Sequence, residues 1–172
     1  MKLRGVNCRK VLSIYFTFWL GLLGGGVIDY FRGFSEPSTP ASVPIPDYGL
    51  FLKVIEVNFT FSLVIFLLDM NTVIQRIAIL IISFVMGEIA FTFGFFIGLI
   101  GTLPHGVLEI LGFSLVAYAG QNFRSKNNYI VPLLMGYLSL TVAAFIESSL
   151  TIYVLQHVLA QHSLCLNTIL TQ

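Results

Sequence analysis

The chain has 172 residues, 56% of them hydrophobic and only 10% charged, with a mean hydropathy of +0.90. A soluble domain carries roughly 25% charged residues, so too few polar side chains are present to cover a globular core. This excludes a cytosolic globular enzyme and a disordered chain, and the net charge of +1 excludes a nucleic-acid binder, which needs a strong basic excess. What fits is an all-α, polytopic membrane helix bundle forming a single membrane domain over residues 1–172.

A spanning helix needs about 17–20 mostly apolar residues. In chain order, the runs that meet this are about 11–31, 49–69, 77–100, 104–120 and 130–158. Each is too long for a strand and lacks the alternation of a barrel. Lys2, Arg4, Arg9 and Lys10 precede the first run. That run exceeds the roughly 7–15 residues of a signal-peptide core and no A-x-A-like site follows it, so it reads as an uncleaved signal-anchor helix. It carries Gly21 and Gly25 in a G-x-x-x-G pattern, repeated by Gly94 and Gly98 in the third run. Such spacing lets helix backbones approach closely within a bundle or across a homo-oligomer.

The connection 32–48 holds Pro37, Pro40, Pro44 and Pro46, a spacing that favours extended, polyproline-like chain. It reads as a connector in preference to a docking peptide. Short breaks at 70–76, 101–103 and 121–129 complete the layout, and the tail 160–172 is too short and polar to span. With the N-terminus in the cytoplasm, Lys2, Arg4, Arg9, Lys10, Arg76, Arg124 and Lys126 lie inside, against Arg32 and Lys53 outside. This distribution predicts a multi-pass cell-membrane protein with its N-terminus cytoplasmic and its C-terminus outside. Cys8 and Cys165 then lie on opposite sides, and neither a disulfide nor a C-x-x-C zinc motif is expected.

Charges within hydrocarbon cost roughly 2.5–3.5 kcal/mol each on insertion scales and usually serve a purpose. Here they are Lys53, Glu56, Glu88, Glu109 and Glu147, joined by His105 and Asn58. Lys53 and Glu56 are three apart and can pair with each other near the outer face. Glu109 and Glu147 each fall about 5 Å to the outer side of their helix centres at 1.5 Å per residue, while Glu88 and Asn58 sit near the middles of theirs. His105, Glu109, Glu147, Glu88 and Asn58 are therefore expected to form one intramembrane polar cluster. His105 and Glu109, four apart, share a helix face. With the helix starting at Pro104, His105 occupies the first turn, where the dipole disfavours imidazolium. A neutral imidazole beside a carboxylate can bind a divalent metal or pass a proton. The plainer alternative is a hydrogen-bonded pair that fixes two helices together. His105, Glu109 and Glu147 are the candidate metal ligands, no catalytic residue is assigned, and a divalent metal is the one candidate cofactor.

Pro104-His-Gly-Val-Leu-Glu109 resembles the P-H-G-x-x-E signature of the stage II sporulation protein M family, with Pro104, His105, Gly106 and Glu109 on the signature positions. The segment Ala143-Ala-Phe-Ile-Glu-Ser-Ser-Leu-Thr151 is similar to that family's last helix, and Asn58 to its polar position in the second. The resemblance implies a five-helix integral membrane protein. In spore formers the namesake serves partner membrane proteins that remodel peptidoglycan, as their scaffold. No proline follows Thr151, and Glu88 is acidic where the family is not. The resemblance therefore carries over the fold and the polar cluster, not the sporulation role. Together with the small loops and the G-x-x-x-G faces, it points to a non-enzymatic scaffold whose partners are the lipid bilayer and other membrane proteins, and the two G-x-x-x-G patterns add a homo-oligomer as a candidate. The competing functions are a transporter or ion-conducting protein using the midplane carboxylates, and an intramembrane metal hydrolase. No internal repeat favours the first. Neither H-E-x-x-H nor G-x-S-x-G favours the second.

Overall fold

The computed structural model describes residues 2–3, 6–33, 47–68, 72–92, 94–154 and 157. Two short strands, β1 (Lys2–Leu3) and β2 (Val6–Asn7), pair antiparallel ahead of the bundle. The helices are α1 (Cys8–Arg32), α2 (Tyr48–Leu67), α3 (Thr72–Ala90), α4 (Phe95–Arg124) and α5 (Ile130–Ile146). A π-helical turn over Glu147–Thr151 continues α5, so its span runs Ile130–Val154. Among the described residues these five helices are each long and apolar enough to cross a membrane. The protein is an all-α five-helix bundle with the character of a multi-pass membrane protein. Most of the proline-rich connection (34–46), Cys165 and the tail 160–172 lie outside the described residues.

Local chemistry sets where the helices begin. The Asn7 side chain accepts from the Lys10 backbone N–H, and Asp47 Oδ1 accepts from the Leu50 N–H at 3.0 Å, capping α1 and α2. The boundary between the third and fourth spans differs from the sequence expectation of runs at 77–100 and 104–120. α3 already ends at Ala90, and α4 runs unbroken through Gly101–Leu103 and Pro104. Two residues decide it. Gly94 takes φ 114°, a conformation open to glycine and strained for other residues. The Thr92 hydroxyl donates to the Glu88 and Ile89 carbonyls, serving the acceptors left at the end of α3. Pro104 removes one helical donor without ending the helix, as membrane helices often tolerate.

The helices meet in two ways. α1 and α3 touch backbone to backbone: a Cβ on Gly21 would strike Leu80 O and Ser83, one on Gly25 would strike Phe84 O, and one on Gly87 would strike Leu22 O. The glycine pattern of α1 therefore docks on a Ser83-x-x-x-Gly87 face inside the bundle. Gly94 and Gly98 do not share one helix face, contrary to expectation. Gly94 caps α4, and Gly98 lies against Ala90 O and Phe91. α4 is the central helix, buried continuously from Gly112 to Gly120. Phe113 stacks on Phe18 of α1 and meets Phe61 of α2 edge-on. Gly112 and Gly136 bring α4 and α5 together, and Ser139 Oγ donates to Leu108 O at 2.6 Å across the same seam.

Candidate functional site

The site lies where α2, α4 and the π turn after α5 meet. His105 and Glu109 come from the middle of α4, one turn apart on the same face. His105 is ten residues past Phe95, so contrary to expectation it is not in a first turn, and the positive end of the helix dipole does not act on it. Glu147 and Thr151 bracket the π turn. His105 Nδ1 and Thr151 Oγ1 are 3.0 Å apart. The other ring nitrogen, Nε2, faces Glu109 Oε2 at 4.0 Å and Glu147 Oε2 at 3.9 Å. Those two separations exceed the 2.7–3.2 Å typical of a direct N–H···O bond. The imidazole is thus fixed by the threonine and flanked by both carboxyl groups. The His105 and Glu109 side chains are only 12% and 14% exposed, and that of Glu147 is 28% exposed.

The fifth participant is Asn58, near the middle of α2 on the inward stripe Asn58, Ser62 and Ile65. Its amide neighbours the Glu109 carboxyl. Its Nδ2 is nevertheless the one buried side-chain polar atom among the described residues that finds no hydrogen-bond partner.

The π turn is a local consequence of the Glu-Ser-Ser-Leu-Thr sequence. Ser148 Oγ and Ser149 Oγ both donate to Phe145 O, at 3.1 and 2.5 Å, a back-bonding pattern that distorts helices. The Ser148 carbonyl accepts from Asp47 N at 3.0 Å. That contact ties the start of α2 to the turn that presents Glu147 and Thr151. Single π turns inside α-helices occur often at functional sites.

Of the residues expected in one cluster, His105, Glu109, Glu147 and Asn58 come together and Glu88 does not. Because α3 stops at Ala90, Glu88 falls in its last turn and pairs instead with Arg32 Nη1 at 2.6 Å, at the end of α1. Lys53 and Glu56 form no ion pair with each other and both face outward. Among the described residues, no group of three or more His, Cys, Asp or Glu is arranged to hold a metal ion.

No protein-family model, curated protein or solved structure matches the chain.

A second polar group escaped the sequence reading. Gln75, expected in a turn at 70–76, is 1% exposed inside α3. It donates to Ala117 O at 3.2 Å and accepts from Gln121 Nε2 at 2.8 Å, linking α3 to α4. The pairing joins residues 46 apart in sequence, and no local spacing signals it.

Proposed function

We propose that the protein is a non-enzymatic scaffold for assembling membrane or envelope proteins, in the manner of the stage II sporulation protein M family, with its N-terminus cytoplasmic. One observation carries the family reading. The two family-like elements, 104–109 and 143–151, touch through His105 and Thr151, 3.0 Å apart. A signature whose separate parts meet in space is more specific than either part alone. The chemistry of the contact favours a clasp. The ring nitrogen and the carboxyl groups face one another across α4 and the turn after α5, which fixes the bundle where hydrocarbon offers no water to satisfy them.

A second reading, ion or proton carriage through the carboxyl groups, is favoured by the unsatisfied Asn58 Nδ2 beside Glu109. Buried polar atoms without partners are few in native proteins, and a water that accepts from this N–H donor is one way to complete it and to lead a proton toward the carboxyl group. Purified protein in liposomes separates the two. The scaffold reading expects no proton or cation flux above empty vesicles and no stoichiometric metal by elemental analysis. A flux abolished by Glu109→Gln, or one metal ion per chain, would replace it.

A further inference from the structure

We propose that the cavity between the start of α1 and the end of α4 binds the phosphodiester headgroup of an anionic lipid, with a hydroxyl-bearing head such as glycerol. This inference is independent of the scaffold reading and of which side of the membrane this end faces. The cavity has a volume of about 350 Å³, opens to the surface, and is lined by the polar residues Asn7, Lys10, Tyr118, Asn122, Asn127 and Asn128. That volume falls within the roughly 300–1,000 Å³ of small-ligand pockets. Hydrogen bonds hold its walls in place. The Asn7 N–H donates to Tyr118 Oη at 3.1 Å, fixing β2 against α4. Asn122 Nδ2 donates to Asn128 O at 3.0 Å, and the Asn127 N–H donates to Asn122 O at 2.9 Å. These two bonds fold the connection 125–129 back onto the last turn of α4.

The bonds left unmade say what the ligand must carry. Tyr118 and Asn122 are only 5% and 7% exposed. Tyr118 Oη accepts from Asn7, so its own proton remains to be donated. Asn122 keeps a second N–H beyond the one given to Asn128. The Lys10 ammonium adds a full positive charge and pairs with no described carboxylate. Among the described residues no carboxylate lines the cavity. The carbonyls of Gln121, Asn122 and Phe123, at the end of α4, already accept from Ser125, Asn127 and Lys126. One cation among neutral donors repels a metal ion and suits a single negative charge, while the amide oxygens of the asparagines can accept from hydroxyls. Depth makes the source a lipid. The 25 residues of α1 rise about 37 Å, more than the roughly 30 Å of hydrocarbon, so its first turn, with Lys10, reaches the headgroup layer. Arg9, Arg124 and Lys126 are exposed at the same end, where no described residue is acidic. Basic surroundings between spans attract anionic lipids and disfavour a choline head.

The test is lipid binding to the purified full chain in detergent, measured by native mass spectrometry. Dioleoyl phosphatidylglycerol should bind at one saturable site, and dioleoyl phosphatidylcholine about tenfold or more weakly. Lys10→Gln should weaken phosphatidylglycerol by about tenfold, the worth of one charge-assisted bond, and Lys10→Arg should retain it. Lys10 is exposed and its side chain bonds to no described residue, so these variants should melt with the parent. Tyr118→Phe should weaken binding by about threefold or more. Lys126→Gln removes a charge at the same end but outside the cavity and should leave binding unchanged. Equal weakening by Lys10→Gln and Lys126→Gln would reduce the effect to general charge attraction and overturn the site. So would equal binding of phosphatidylglycerol and phosphatidylcholine. Dioleoyl phosphatidylethanol keeps the phosphodiester and lacks the hydroxyls, so it should bind about threefold more weakly; equal binding would overturn the glycerol assignment. Glycerol 3-phosphate binding as tightly as the lipid would overturn the lipid source in favour of a soluble phosphate ester.

Discussion

The α1–α3 seam and the meeting of α2, α4 and the π turn hold one bundle together by opposite means. In the first, Gly21, Gly25, Ser83 and Gly87 remove side-chain bulk until the backbones touch. In the second, His105, Glu109, Glu147, Thr151 and Asn58 place polar atoms between the helices and leave separations of 3.9 and 4.0 Å between Nε2 and the carboxyl oxygens. Within a membrane there is no hydrophobic drive between helices, so association rests on close packing and on polar contacts. The first seam cannot accept an added atom, whereas the second tolerates changes that preserve size and hydrogen bonding. The comparison predicts that shape changes damage α1–α3 more than chemical changes damage the cluster.

The largest effect should follow from filling the tight seam. A Cβ at Gly87 meets the backbone of Leu22, and at Gly25 the backbone of α3, so neither clash can be relieved by turning a side chain. Gly87→Leu should cost roughly 3 kcal/mol or more, at the upper end of overpacking penalties. Gly24→Ala is the control, because its Cβ would sit at ordinary contact distance, 3.5 Å, from the Phe84 ring. Thermal unfolding in detergent should show Gly87→Leu melting far below the parent and Gly24→Ala close to it. Equal melting of the two would remove the distinction.

The cluster should show the intermediate effect, and it should discriminate by chemistry. Glu109→Gln keeps the size and an acceptor, so its melting should stay near that of the parent. Glu109→Ala strips His105 and Asn58 of a neighbour in a medium without water and should cost about 1–3 kcal/mol. If Gln and Ala prove equally damaging, the carboxylate itself is required and the clasp reading fails.

Much of this layout is legible in the sequence, and the losses have physical causes. Spans emerge from hydropathy because the bilayer demands long apolar runs, and the His105–Glu109 face emerges from helical spacing. The break after Ala90 does not. It is buried in a phenylalanine-rich run, while Gly101 and Pro104 downstream carry the stronger conventional signals for a break. A break at 101–103 would set Glu88 in the middle of a helix and away from Arg32, whereas the end of α3 at Ala90 sets it in the last turn beside Arg32. Thr92 followed by Gly94, a hydroxyl for the last carbonyls and a residue free at positive φ, is the local signal that marks the turn. The α1 glycines are readable as a close-packing face, but their counterpart at Ser83 and Gly87 is hidden because serine interrupts the G-x-x-x-G form. The His105–Thr151 contact spans 46 residues and depends on how α4 and α5 pack, which spacing along either helix does not encode.

The smallest effect should come from the shortest charged contact. Arg32 and Glu88 sit 2.6 Å apart and join the far ends of α1 and α3, yet the Arg32 side chain is 65% exposed and that of Glu88 is 26% exposed. Strength follows surroundings more than distance. An ion pair open to solvent gains little Coulomb energy, loses side-chain freedom and is screened by salt. Glycine contacts along α1 and α3 hold these helix ends together whether or not the pair forms. Glu88→Gln should therefore change stability by less than about 0.5 kcal/mol, and that difference should shrink further in high salt. A larger loss, insensitive to salt, would mean that the pair is shielded inside the membrane and that the α1–α3 seam, too, depends on charge.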